Sequence, residues 1–187
     1  MSPATQKIVI AGGILLLIAS IWQGQLSGLY DIGIPTETRN TIGTFYKVTS
    51  VIDGDTIHVD INGTDEKIRL IGINSPETSN PRTPVQCFGK EAARRMRDLS
   101  DKELVRLEYD DTQGTRDVYS RLLAYVYLED GEMLNRKMIA EGYAYEYTYL
   151  TPYKHQKEFR DVQTIARVSE RGLWAEDICN GSKLNTR

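Results

Sequence analysis

Three runs of alternating apolar and polar side chains, close together in the first half of the chain, constrain the fold more than any other feature. They are Phe45-Tyr46-Lys47-Val48-Thr49-Ser50-Val51, residues 56–61 and residues 66–73. Alternation with a period of two gives an extended segment one apolar face. Asn62-Gly63 separates the last two runs, and this pair favours the positive φ angles of a two-residue hairpin turn. A hairpin alone is marginal in water, so its apolar face needs further strands or a helix against it. Residues 104–109 and 122–128 supply two more strand-like runs, with 112–120 between them reading as a mobile loop. A helix is expected over 89–99, where Phe88, Ala92, Met96 and Leu99 recur near helical spacing. A second, over 134–141, stops at Gly142; a third, over 154–170, puts Phe159, Val162, Ile165 and Ala166 on one face and has Gly172 just past its end. The class is α+β: five strands, a helix after the third, and helices at the end. No internal repeat or low-complexity tract interrupts this pattern.

The chemistry is concentrated where these elements meet. Asp53-Gly54-Asp55-Thr56 lies between the first two runs, Arg69 in the third, Pro76-Glu77 after it, and Arg121 at the start of the fifth. Two carboxylates astride a glycine, whose backbone can turn sharply, can direct oxygens toward a hard cation such as calcium. Glu77 can serve as a base toward water. The guanidiniums of Arg69 and Arg121 keep their protons near neutral pH and match phosphate oxygens bidentately, which suits a site where negative charge grows during reaction. Taken singly, each has a plainer reading. Asp-Gly-Asp-Thr is good turn chemistry, Arg69 on a strand is a solvated cation, and Glu77 is an acid at a helix N-terminus. The ordered combination favours metal-assisted phosphodiester cleavage.

These residues resemble the staphylococcal nuclease (thermonuclease) family over about residues 44–174. One signature of that family, aspartate-glycine-aspartate-threonine, then arginine, then aspartate-any-proline-glutamate, is present as Asp53-Gly54-Asp55-Thr56, Arg69 and Asn74-Ser75-Pro76-Glu77. A second, aspartate-basic-tyrosine-glycine-arginine before an apolar strand, is present as Asp117-Val118-Tyr119-Ser120-Arg121. The resemblance implies a five-stranded OB-type barrel with about three helices. It implies Arg69, Glu77 and Arg121 as catalytic residues, Tyr119 near the substrate, and calcium held by Asp55, the Asn74 side-chain oxygen and the Ser75 carbonyl. Three positions depart from the pattern. Asn74 stands for a second calcium-binding aspartate, and calcium affinity depends on ligand charge. Val118 replaces a basic residue and Ser120 a glycine, which weakens phosphate contact and restricts the turn before Arg121.

The formal net charge is −3. Between Asp53 and Glu77 six acids face two bases, so this region seeks cations before it accepts phosphate. Nucleic acid as partner then implies weak, salt-sensitive binding without sequence preference. Tyr143, Tyr145, Tyr147 and Tyr149 recur at every second residue, with Tyr153 after them. An extended segment would put the first four on one face, either to stack bases or to pack between barrel and last helix. Outside the cytoplasm Cys87 and Cys179 would form a disulfide tying the C-terminal segment to the first helix; otherwise both are buried thiols. His58 and His155 are too isolated for a zinc site.

Residues 8–22 are uncharged and almost wholly apolar, with Lys7 before them and Asp31 and Glu37 after. That polarity sets the N-terminus inside and the rest outside. Extension toward Tyr30 reaches the length of a membrane span, and no small-x-small pair offers a good cleavage site. The division expected is a signal-anchor over 1–30, a linker over 31–43, the nuclease-like domain over 44–176 and a tail over 177–187. The chain is thus expected to be single-pass in the cell membrane with its domain outside, or secreted if the segment is cleaved. Its expected function is calcium-dependent endonucleolytic hydrolysis of DNA and RNA, single-stranded or locally open, with low sequence specificity. The competing class is a non-catalytic OB-type module that binds nucleic acid or another ligand at the cell surface.

Overall fold

The computed structural model describes residues 43–78 and 84–182. Strands β1 (Phe45–Val51), β2 (Thr56–Ile61), β3 (Thr64–Leu70), β5 (Leu104–Glu108) and β6 (Leu122–Leu128) close into a barrel in the order β1-β2-β3-β6-β5. The α+β, five-stranded barrel expected from the sequence is the fold found, with three helices: α1 (Gly89–Ser100), α2 (Leu134–Ala140), which is only about two turns long, and α3 (Gln156–Val168). A 3₁₀ turn, Gly172–Trp174, follows α3.

The β2–β3 hairpin turns on Asn62 and Gly63, with φ of 54° and 85°. Every closing contact of the barrel is antiparallel except β3 with β6, where Ile68, Arg69 and Leu70 run parallel to Leu122, Leu123 and Ala124. A register shift between Val48 and Ser50 lets β1 bend and pair with both β2 and β5. Val48, Ile57, Val59, Ile68, Leu70, Val105 and Tyr125 fill the interior. Each aliphatic side chain buried there contributes roughly 1.5–3 kcal/mol. Met96 of α1, Leu134 and Met138 of α2, and Phe159 of α3 extend the same core.

The third strand is shorter than the 66–73 expected. β3 ends at Leu70, and after Gly72 at φ 77° the chain forms a separate strand β4 (Ile73–Asn74) paired with β7 (Tyr145–Glu146). A Cβ on Gly72 would fall 2.6 Å from the Tyr153 ring, so both the angle and the space demand glycine. This small sheet carries the Asn74 to Glu77 segment away from the barrel wall. The tyrosine alternation does not become a continuous strand. Only Tyr145 lies in β7; Tyr143 stacks on Phe88, Tyr145 meets Trp174 edge-on, Tyr153 is buried, and Tyr147 and Tyr149 are exposed.

Cys87 and Cys179 are joined in a disulfide, with Cα atoms 6.0 Å apart. It attaches the chain end around Cys179 to the residue two before α1. Among the described residues no helix is long and apolar enough to cross a membrane. The expected anchor over 1–30 and nearly all of the expected linker lie outside the described residues.

Candidate active site

One cleft of about 570 Å³ is lined by Asp53, Asp55, Arg69, Asn74, Glu77, Tyr119 and Arg121, and further by Tyr147, Tyr149 and Leu150. Barrel closure is what assembles it. Arg69 is opposite Thr56 in the β2–β3 register and opposite Leu123 in the β3–β6 register. The parallel pairing therefore brings Arg121, the residue before β6, alongside Arg69, although they are 52 positions apart in the sequence.

Asp55 is the hub. Only 5% of its surface is exposed. Its Oδ2 accepts hydrogen bonds from the Ser75 backbone N–H at 2.7 Å and the Ser75 hydroxyl at 3.3 Å. Its Oδ1 accepts one from the Thr56 hydroxyl at 2.9 Å and is 3.3 Å from Arg69 Nε. The Asp55 backbone N–H donates to Asp53 Oδ1 at 3.0 Å. Burial, and then the neighbouring Asp55 carboxylate, push Asp53 up to about 7. Two carboxylates this close carry more negative charge than Arg69 neutralises.

The chain bends at residues 53–55 as expected, and Gly54 serves a second purpose there. A Cβ at Gly54 would be 2.7 Å from the Ser75 Cβ and 2.9 Å from the Ala92 Cβ. Glycine is required because the loop between β1 and β2 is pressed between the Ser75 side chain and α1.

Arg121 is held by Asp117, whose Oδ2 accepts from Nε at 2.7 Å and lies 2.7 Å from Nη2. Its Nη1 donates weakly to Thr56 Oγ1 at 3.4 Å. Asp117 also accepts the backbone N–H groups of Tyr119 and Arg121, which shapes the turn. Burial opposes ionisation of Asp117, yet the hydrogen bonds from Arg121 hold its carboxyl below the ordinary range. Ser120, where the family pattern has glycine, adopts φ 63°, a conformation that costs an L-residue about 1–2 kcal/mol. Arg69 donates from Nη1 to the Leu70 carbonyl at 2.7 Å. Asp55 Oδ1 thus meets Arg69 directly and Arg121 through the Thr56 hydroxyl.

Glu77 enters the same cleft, and among the described residues its carboxylate has no hydrogen-bond partner. Asn74 lines the cleft, and the next residue, Ser75, is 3% exposed and directs its N–H and hydroxyl at the Asp55 carboxylate. Tyr119 is 76% exposed, its ring centroid 5.4 Å from the Arg121 guanidinium carbon. Val118 and Leu150, 82% and 85% exposed, add apolar side chains to the cleft lining. Arg116 also lines the cleft, but both its terminal nitrogens are engaged by Glu66, at 3.0 and 2.9 Å. Three residues to which the sequence assigns no role of their own shape this site. Asp117 and Thr56 stand within the two signatures, and Asp117 has an i,i+4 spacing to Arg121; Arg116 has no signal, because its partner Glu66 is distant in sequence.

Among the described residues no three His, Cys, Asp or Glu side chains gather into one metal site. The donors present are hard oxygens: Asp53, Asp55 and the Asn74 amide. Their all-oxygen chemistry and unneutralised charge fit a calcium-like cation and exclude a soft metal.

Residues 67–176 match the family described as staphylococcal nuclease homologue. The chain is 35% identical over 175 residues to the thermonuclease of Staphylococcus hyicus, covering 94% of this chain and 99% of that protein. It is 37% identical over 170 residues to the thermonuclease of Staphylococcus intermedius, covering 91% and 96%. It is also 36% identical over 126 residues to the endonuclease YncB of Bacillus subtilis, covering 67% and 59%.

Proposed function

We propose, since this chain belongs to the staphylococcal nuclease family and is a nuclease, that it is a calcium-assisted endonuclease acting on DNA and RNA with little sequence preference. The observation that carries this reading is the convergence of Glu77, Arg69, Arg121 and Asp55 on one cleft. Nuclease relatives set aside the reading of a non-catalytic module.

In the proposed mechanism Glu77 takes a proton from a water whose oxygen attacks the phosphorus of a backbone phosphodiester in line with one ester oxygen; that P–O bond breaks, and the leaving oxygen takes a proton from solvent. A carboxylate with no protein donor among the described residues is suited to that task, and general-base assistance is typically worth roughly 10² to 10⁴ in rate. Arg69 and Arg121 bind the equatorial oxygens as phosphorus becomes five-coordinate. Their carboxylate partners fix the guanidinium planes beforehand, so no reorganisation is needed when charge develops. Asp55, the Asn74 side-chain oxygen and the Ser75 carbonyl would hold calcium, which when bound offsets negative charge on the phosphate. Thr56 and the Ser75 donors keep Asp55 oriented. Tyr119 stacks against the nucleotide beside Arg121, a contact worth about 1–3 kcal/mol per base and tolerant of sequence. Single-stranded or locally open substrate is favoured because stacking needs an exposed base face.

The apolar segment over 8–22 supports membrane attachment with the nuclease domain outside, or secretion, and a disulfide suits such an oxidising compartment. The testing experiment is a zymogram with calcium and with chelator, run on wild type and Glu77→Gln. Hydrolysis should require calcium and fall by roughly two orders of magnitude or more in the variant. Full activity in Glu77→Gln would exclude Glu77 as the base.

A further inference from the structure

Glu77 poses a geometric problem for its proposed task. Among the described residues the groups that hold Glu77 bond its backbone, and they set the direction in which its side chain leaves for the cleft. Both backbone groups of Glu77 are bonded to a single residue. The Glu77 N–H donates to Gln86 Oε1 at 3.0 Å, and the Gln86 N–H donates to the Glu77 carbonyl at 2.9 Å. The carbonyl is also pressed from the other side by the first residue of α1, since a Cβ on Gly89 would be 2.6 Å from that oxygen.

Gln86 is itself tied down. The next residue, Cys87, is bonded to Cys179, which is 3% exposed. The Cys179 segment is folded back on the 3₁₀ turn, where Gly181 N–H donates to the Leu173 carbonyl at 2.9 Å and Asn180 N–H to the Ala175 carbonyl at 3.0 Å. Phe88, at φ 65°, stacks on Tyr143 at 5.3 Å between ring centroids. Gln86 therefore stands between the backbone of Glu77 and a covalently fastened corner of the fold.

We propose that Gln86 is a positioning residue for Glu77, and that the Cys87–Cys179 disulfide braces it. The proposal rests on the reading of Glu77 as general base. A reacting group held at short range loses much of its effectiveness when displaced by a fraction of an ångström, because its advantage is one of orientation. In the proposed mechanism ground-state binding of the nucleotide rests on the Tyr119 rim, and Gln86 is not part of the cleft lining.

The test compares steady-state cleavage of a single-stranded oligonucleotide by Gln86→Met and Gln86→Glu, each alone and in a Glu77→Gln background. Methionine keeps the reach of glutamine but cannot accept the Glu77 N–H; glutamate can. Gln86→Met should lower kcat on the order of tenfold with KM near wild type, a smaller loss than the 10²-fold of a full ångström error. Gln86→Glu should recover most of that loss. In the Glu77→Gln background Gln86→Met should have no further effect, because there is no base left to position. A loss in KM alone, no recovery with glutamate, or an equal loss in the Glu77→Gln background would overturn the assignment. Glu77→Gln by itself reports on the base reading separately: if it cleaves like wild type, that reading falls and the positioning role with it. For the brace, a Cys87→Ser/Cys179→Ser variant should lower kcat severalfold with KM retained. Where that variant does not fold, wild type reduced by a dithiol and alkylated gives the same readout. Unchanged kcat in either folded form would remove the disulfide from the proposal.

Discussion

Replacing Arg121 by lysine keeps the charge in the cleft and removes the fork. Arginine has five N–H donors. Nε bonds Asp117 Oδ2 at 2.7 Å, Nη2 approaches the same oxygen at 2.7 Å, and Nη1 leans on Thr56 Oγ1 at 3.4 Å. One N–H on each terminal nitrogen is then left for a phosphate, the pair whose spacing matches two of its oxygens. A lysine ammonium would stay near Asp117 and reach one oxygen at most. Arg121→Lys thus loses one charge-assisted hydrogen bond to the phosphate, worth about 1.5–3 kcal/mol. Because that bond strengthens as the phosphorus gains charge, the loss belongs in kcat, where it corresponds to roughly 10- to 150-fold. The assay is steady-state hydrolysis of a fluorogenic single-stranded oligonucleotide at saturating calcium, with circular dichroism to verify the fold. A loss confined to KM would mean that Arg121 binds ground state and transition state equally, and a kcat within about twofold of wild type would refute the forked contact altogether.

Asn74→Asp adds a formal charge among the oxygen donors of the cleft, so half-maximal cleavage should come at lower calcium than in wild type, while Asp55→Asn should require more; three identical calcium titrations would exclude a cation between these residues. Val118→Lys should lower KM and steepen the salt dependence of binding by about one phosphate contact, since position 118 is 82% exposed in the cleft lining; an unchanged slope in a salt titration would place it off the substrate path. Asp110, 6% exposed, is held down at about 2 because hydrogen bonds from Lys154 N–H, the Tyr125 hydroxyl and both donors of Thr112 outweigh its burial. A folded value below the ordinary 3.8 gives stability that is present above about pH 4 and is lost as pH falls through about 2, an amount of about 2 kcal/mol. Urea unfolding of wild type should therefore weaken by that much more than Asp110→Asn over this interval, and parallel pH curves would refute the linkage.

Local chemistry was legible in the residues themselves. The β2–β3 hairpin follows from two alternating runs joined by Asn62-Gly63, because period and turn angle are properties of adjacent residues. Helices α1 and α3 follow from apolar spacing for the same reason, within one or two residues at their ends. Arg69, Glu77, Arg121 and Asp55 were recognisable as chemical types in a meaningful order. Their convergence on one cleft was not, since it depends on β6 pairing parallel to β3 between residues 54 positions apart, where no local pattern encodes the register. Gly54 looked like a turn and lies in one, but it is also a site of close approach, which only the neighbouring Ser75 and Ala92 reveal. The run over 66–73 looked like one strand and is broken at Gly72 because Tyr153, far along the chain, occupies the space a side chain would need. The alternating tyrosines divide between packing and the cleft because β7 is only two residues long. The sequence by itself determined which groups could do chemistry and which short segments could extend or coil, for those depend on side-chain type and nearest neighbours. The tertiary structure decided which groups meet, how their charges are compensated and what backbone holds them, because those depend on contacts between residues that the chain keeps far apart.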